Sequence, residues 1–421
     1  MNNYNKKIHI IGGGTVAHSS CHLGLCAPAF GTTARKLEKF CKERFDSMDV
    51  ELHLTAMAGG KHDLQSPNDL KKLAEKIVAD AATKIVIWCP AVCDFNLVVE
   101  SSELREGENP KYAGRLNSHN TYDAKLVPNK DKVVDVFRKE RKDLTLVAFK
   151  TTCGATKQEM YEKGLALCKK SSCNLVLVND TKTRWNMIVT PEEAAYHETN
   201  DRDEVLRNLV DMVFYRSQLT FTRSTVVEGK PVPWSDERVP ESLRLAVEHC
   251  IKHDAYKPFG DSTVGHFAVK ISDSEFLTSI RKSNFNKLSE VGLVYVKSDS
   301  PDTVLAYGAK PSVGGQSQRI IFRDHVGYDC VLHFHSPLRE DHADDIPLKS
   351  QREVECGSHQ CGQQTSDGLK QFGNLKAVML DNHGPNIIFP RDIDPQEVID
   401  FVDRNFDLSK KTGGYNLNEK A

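Results

Sequence analysis

Val331-Leu332-His333-Phe334-His335-Ser336-Pro337 is the stretch on which the reading of this 421-residue chain turns. Its apolar start and period-2 pattern predict a strand, in which alternate side chains share a face. His333 and His335 then point the same way, and two imidazoles at that spacing can grip one metal ion. By itself the pair reads equally well as two hydrogen-bonded surface histidines.

Working outward, a third histidine stands in Leu380-Asp381-Asn382-His383-Gly384, after a predicted strand at Ala377–Leu380. The rest of this half reads as short strands at Phe267–Ile271, Glu275–Thr278, Gly292–Val296, Val304–Tyr307 and Asn386–Phe389. Helices are predicted over Glu241–His253, Gly315–Asp324, Thr365–Phe372 and Pro395–Asn405. Short strands with segregated helices suggest an α+β or αβα sandwich domain over 241–410. The preceding segment, 226–240, holds Gly229, Pro231, Pro233 and Pro240 and reads as a linker. The tail after Leu408 reads as frayed.

The first half, residues 1–225, has another rhythm. Lys7–Ile11, Val50–Thr55, Lys84–Cys89, Leu144–Phe149 and Asn174–Val178 read as strands. Helical runs at Thr32–Phe45, Pro67–Ala82, Asp131–Arg141 and Thr156–Lys170 lie between them. Such alternation predicts an α/β fold: a Rossmann-like parallel sheet with helices on both faces. Gly12-Gly13-Gly14 follows the first strand at once, where backbone can approach a phosphate because no Cβ intervenes. A Gly-rich turn of this kind is also a common way simply to turn the chain.

Bulk properties narrow the function. The formal net charge is −2, so no basic field favours nucleic acid or an anionic membrane. The sequence lacks an apolar run near the roughly 20 residues that span a bilayer, and it opens on a polar segment, which predicts a cytoplasmic protein. Twelve cysteines include no CxxC pair, so most read as small buried hydrophobes.

In order, Ile10–Thr15, Trp88–Phe95 (WCPAVCDF), Leu126–Asp131 (LVPNKD), Val147–Phe149 and Asn174–Asp180 (NLVLVND) resemble phosphopantothenoylcysteine synthetase, the ligase of coenzyme A biosynthesis. The resemblance spans roughly residues 7–190. It implies a nucleotide, CTP or ATP with Mg2+, held by Gly12, Gly13, Gly14, Asp94, Asn129, Asp131, Phe149, Lys163 and Asn179. Asp94 also ends an apolar strand, where ligands gather in open α/β sheets. The family's asparagine for the acyl-nucleotide step falls at Ala27, and the run matching its FAAET strand reads Phe149-Lys150-Thr151-Thr152-Cys153. Loss of one donor where charge develops costs about 3–4 kcal/mol of catalysis. This half is therefore expected to bind a nucleotide or phosphorylated ligand without making the same amide.

HxH, then about fifty residues, then Asn382-His383-Gly384, resembles the class II aldolase/adducin family. Gly265–Lys270, Glu275–Thr278 and Lys310-Pro311-Ser312 match further parts of it, over about residues 241–405. The resemblance implies Zn2+ or another divalent metal on His333, His335 and His383, with Ser279, Arg281 and Lys282 on a phosphate. An ion chelated by a carbonyl and its adjacent hydroxyl stabilises an enediolate, chemistry that serves retro-aldol cleavage, epimerisation or dehydration. The family's aldolase glutamate falls at Gly314, and Glu355 is the candidate general base in its place. His359 is a further candidate ligand or acid. The expectation is a metal-dependent lyase on a small phosphorylated metabolite, fused to a nucleotide-binding synthetase-like domain. Two alternatives are a bifunctional enzyme with active ligase chemistry and a non-catalytic adducin-like scaffold; the retained histidines argue against the scaffold. Both families self-associate, which implies a homo-oligomer.

Overall fold

The computed structural model describes residues 6–99, 110–130, 132–340 and 344–413, without the side chains of 110 and 313–317. Contacts divide the chain into two units: Met1–Pro191 with Tyr196–Ser217, and Glu192–Ala195 with Gln218–Ala421.

The first unit is built on seven strands: β1 (Lys6–Gly12), β2 (Met48–Leu54), β3 (Thr83–Trp88), β4 (Thr145–Thr152), β5 (Leu175–Asp180), β6 (Asn186–Val189) and β7 (Ala195–Thr199). Their order is β7-β6-β5-β4-β3-β1-β2. The five from β2 to β5 are parallel, and β6 returns antiparallel. Ile85, Val86, Ile87, Leu146, Val147 and Leu175 through Val178 are fully buried. Successive residues of one strand can all be buried only where both faces of the sheet are covered, and helices supply the cover. These are α1 (Thr32–Arg44), α2 (Pro67–Ala79), α3 (Lys157–Lys170) and α4 (Arg202–Arg216). Pro67 opens α2 behind a Ser66–Asp69 capping box, and Thr156 with Glu159 does the same for α3.

The second unit carries a mixed sheet. Its main strands are β8 (Arg223–Val227), β9 (His266–Ser272), β10 (Glu275–Ser279), β11 (Leu293–Ser300), β12 (Thr303–Tyr307), β13 (Cys330–His333), β14 (Leu375–Leu380) and β15 (Gly384–Phe389). They run in the order β8-β12-β11-β10-β9-β13-β15-β14, with Leu348–Lys349 beyond β14. The four long helices that flank them are α5 (Glu241–Lys252), α6 (Val313–Asp324), α7 (His359–Gly368) and α8 (Pro395–Asn405). Strand alternation sorts the core into two layers. Phe267, Leu332, Phe334, Ile387 and Phe389 pack with Leu243, Val247, Phe401 and Val402 of α5 and α8. Ala268, Val331 and Ile388 pack with Ile321 and Phe322 of α6. The result is an αβα sandwich, as the sequence predicted.

Four expectations are corrected. Segment 226–240 is no linker: β8 pairs with β12, Val232 pairs with Leu293, and Val232, Trp234 and Val239 are buried in the second core. Its prolines mark turns between packed residues. The helix predicted over Thr365–Phe372 runs instead over His359–Gly368, capped by Ser358, whose hydroxyl accepts from the Cys361 N–H; Lys370–Phe372 is a strand. The helix predicted over Asp131–Arg141 is confined to Asp135–Glu140. The tail does not fray at Leu408, since Thr412 is buried and hydrogen-bonded. None of the twelve cysteines is in a disulfide, and seven of them are buried.

Candidate metal centre

The register of the second sheet assembles the site. His333 is the last residue of β13, with His266 of β9 on one side and Asn386 of β15 on the other. Since Phe334 points into the α5/α8 layer, His333 and His335 face the opposite layer, under α6 and α7. His383 arrives from the turn between β14 and β15. That turn needs Asn382 in the left-handed region, at φ 55°, and Gly384 at φ 148°. A Cβ on Gly384 would sit 2.0 Å from the Phe334 carbonyl oxygen. Glycine is thus what lets this turn press against the HxH segment.

His333, His335 and His383 are all buried, and one ligand atom from each lies within 4.8 Å of the others. Their ring centroids are 5.1, 4.7 and 4.6 Å apart, with mutual tilts of 69°, 68° and 77°. Rings this close and mutually tilted bring one nitrogen from each within reach of a single ion. The tautomer of His333 is set from behind: its Nδ1 lies 2.7 Å from the Pro385 carbonyl, which only accepts, so Nδ1 carries the proton. Nε2 then holds a lone pair, is buried, and meets no hydrogen-bond partner among the described residues. Burial, and then the neighbouring His383, drive the His333 imidazole well below its ordinary 6.5, so it is neutral at pH 7. An orphaned imidazole nitrogen costs free energy in a sealed site unless something binds it. The three residues fit a divalent ion.

The surrounding pocket is lined by His266, Gln318, Cys356, Cys361, Thr365 and Asn386. The His266 ring lies 4.5 Å from that of His333, and burial likewise holds it neutral. Gln318 Nε2, Ser279 Oγ and Ser336 Oγ are buried and unpaired among the described residues. Behind the site, Thr412 donates its N–H to the His335 carbonyl and its hydroxyl to the His383 carbonyl. Glu192, from the segment 192–195, accepts from the Cys356 N–H at 2.8 Å.

Other predicted residues fall as follows. Glu355 is half-buried, next to the pocket residue Cys356, and its carbonyl accepts from Ser358. His359 hydrogen-bonds Thr222 at 2.8 Å, outside the histidine trio. Ser279 ends β10, while Arg281 and Lys282 are exposed in the loop beyond it. Sequence reasoning missed His266 as a neighbour of the trio, together with Gln318 and Glu192. The parity of His266 against Phe267 was a usable signal for the first, and Glu192 carried none.

In the first unit, Asp94 and Asn129 are brought together: the Asn129 N–H donates to the Asp94 carbonyl, and its side-chain amide to that of Cys93. The Asp94 carboxylate pairs with Lys132. Gly12, Gly13 and Gly14 each have a reason within the protein. An added Cβ would meet Ala34 at 2.4 Å, Thr55 at 2.1 Å and Ala27 at 2.3 Å respectively. The Gly14 N–H donates to Ala29 and that of Thr15 to Ala91. Phe149 is half-buried, 5.8 Å from the Arg202 guanidinium. Asn179 accepts weakly from Thr151, and Asp180 beside it gathers the turn after β5. Lys163 is exposed on α3, and Asp131 lies outside the described residues.

Together these features define an α/β chain with a mostly parallel N-terminal sheet and a C-terminal mixed sheet bearing a buried three-histidine cluster. Among solved structures, the DNA/pantothenate metabolism flavoprotein from Streptococcus pneumoniae is similar to half of it, at 17% identity. That match covers 50% of this chain and 98% of the other, with a TM-score of 0.41. The C-terminal domain of the coenzyme A biosynthesis bifunctional protein CoaBC matches at 14% identity, covering 51% and 96%, with a TM-score of 0.37. An L-fuculose 1-phosphate aldolase matches at 16% identity, covering 40% and 82%, with a TM-score of 0.31. No protein family and no curated protein matches the chain by sequence. No helix among the described residues is long and apolar enough to cross a membrane.

Proposed function

We propose that the second unit is a metal-dependent lyase acting on a small phosphorylated metabolite, by aldol cleavage, dehydration or epimerisation. The observation that carries this is the convergence of three buried imidazoles, with His333 Nε2 buried and unpaired among the described residues. A divalent ion there supplies Lewis-acid polarisation of a substrate carbonyl. The chain's own part is to hold the ligands neutral and oriented, to exclude water with α6 and α7, and to move a proton. Glu355 is the proposed base. Ser279, whose buried hydroxyl has no partner among the described residues, and the exposed Arg281 and Lys282 are the proposed phosphate contacts. His333→Ala is expected to abolish metal-dependent cleavage of phosphorylated sugars, and Glu355→Gln to lower it by roughly 10²–10⁴-fold with the metal retained. Unchanged turnover in His333→Ala would end the proposal.

For the first unit we propose nucleotide binding, without ligase turnover, on the strength of the sequence resemblance and the juxtaposition of Asp94 with Asn129. Calorimetric titration with CTP and with ATP in the presence of Mg2+ tests it. Binding should weaken at least tenfold in Asn129→Ala, and no pyrophosphate should be released with phosphopantothenate and cysteine.

A further inference from the structure

A second constellation of metal-ligating groups lies in the first unit and has no part in either reading above. His9 stands at the middle of β1, directly across from Glu51 of β2 in the parallel register. His53 follows Glu51 by two residues and so shares its face. One ligand atom from each falls in a single cluster. His9 Nδ1 is 2.9 Å from His53 Nε2 and 3.5 Å from Glu51 Oε2, and His53 Nε2 is 3.7 Å from that same oxygen. A triangle with those edges has a circumradius of about 2.0 Å, which is the ligand distance of zinc to imidazole and carboxylate.

The surroundings orient these atoms. The Thr83 hydroxyl donates to the Ile77 carbonyl at 2.7 Å, so toward His9 it can only accept. His9 Nε2, 3.2 Å away, therefore carries the proton, and Nδ1 turns its lone pair toward the other two ligands. Lys7 takes Glu51 Oε1 at 2.8 Å, leaving Oε2 for the centre. Burial lowers the pKa of both imidazoles, that of His53 to about 4, so both are neutral at pH 7. His9 is buried, while His53 and Glu51 are partly exposed, which leaves a side open for an ion to enter and for water as a fourth ligand.

We infer that His9, Glu51 and His53 form a second metal site, selective for a zinc-class divalent ion and separate from the trio in the other unit. Its place indicates its work. β2 is the outermost strand of the sheet, and the site ties it to β1. His9 lies three residues before Gly12, about 10 Å along the strand from the crevice where ligands of parallel sheets bind. The ion staples an edge strand and takes no part in chemistry at the strand ends.

The test uses the full chain, stripped with a chelator, reloaded with Zn2+ for elemental analysis, and titrated with Co2+ for its visible absorption. His333→Ala removes the other site from the count. That chain is expected to keep one ion, and the His333→Ala, His53→Gln double variant to keep none. Glu51→Gln, at a partly exposed position, gives the same loss in case the histidine change disturbs folding, which circular dichroism checks. Zn2+ should also raise the thermal midpoint of His333→Ala and leave that of the double variant unmoved. Equal metal content in the two chains, with both folded, overturns the inference and leaves a neutral hydrogen-bonded histidine pair. Because His333 is absent throughout, failure here says nothing of the lyase reading, and failure of that reading leaves this site countable.

Discussion

At the scale of single residues, the chain's informative positions are those where one atom decides a geometry. Gly384 is such a position. With φ at 148° and the Phe334 oxygen 2.0 Å from where a Cβ would stand, Gly384→Ala must move the His383 turn away from the HxH segment. A loss of stability on the order of 3 kcal/mol is expected, with weakened metal binding at the trio. Denaturant unfolding and metal titration in the His53→Gln background read both effects. The glycine was visible in the sequence as part of a motif, but its reason was not, because the clash is with an oxygen fifty residues away. His266 shows the converse. It is an ordinary histidine in a strand until the register sets it beside His333.

Among elements, capping and turn chemistry explain where the sequence reading held and where it slipped. The helices at Pro67 and Thr156 begin where capping boxes announce them. The helix at His359 was misplaced because Ser358 caps a Gln- and Gly-containing run with no apolar period to mark it. Asp180 orders the turn after β5. Its carboxylate accepts from the backbone N–H of Thr183, Ala155 and Lys182 and from the Thr152 hydroxyl. Those bonds, the Thr183 N–H foremost, hold its pKa well below the ordinary 3.8. A carboxylate more acidic in the folded state than in the unfolded one stabilises the fold above about pH 4 and loses that contribution as pH falls. Asp180→Asn is therefore expected to lower the thermal midpoint at pH 7, with the difference from the parent chain shrinking between pH 4 and pH 2.

Across the whole molecule, the segment 226–240 shows how composition can mislead. Four Pro and Gly residues in fifteen suggested a linker, yet Trp234 is buried against Phe267, with its indole N–H on Glu248. Trp234→Ala is expected to cost about 3–5 kcal/mol in the unfolding of the second unit, as for any large core aromatic. A true linker residue would change nothing measurable. By itself the sequence determined the α/β class, the alternating and parallel character of the first half, and the three histidines, because periodicity and short motifs are local and survive in one dimension. Only the tertiary structure decided that those three rings share a centre, that Glu192 and Thr412 close in behind it, and that His9 meets Glu51 and His53. Convergence of this kind is set by strand register and turn geometry, which join residues tens to hundreds of positions apart and leave no local trace.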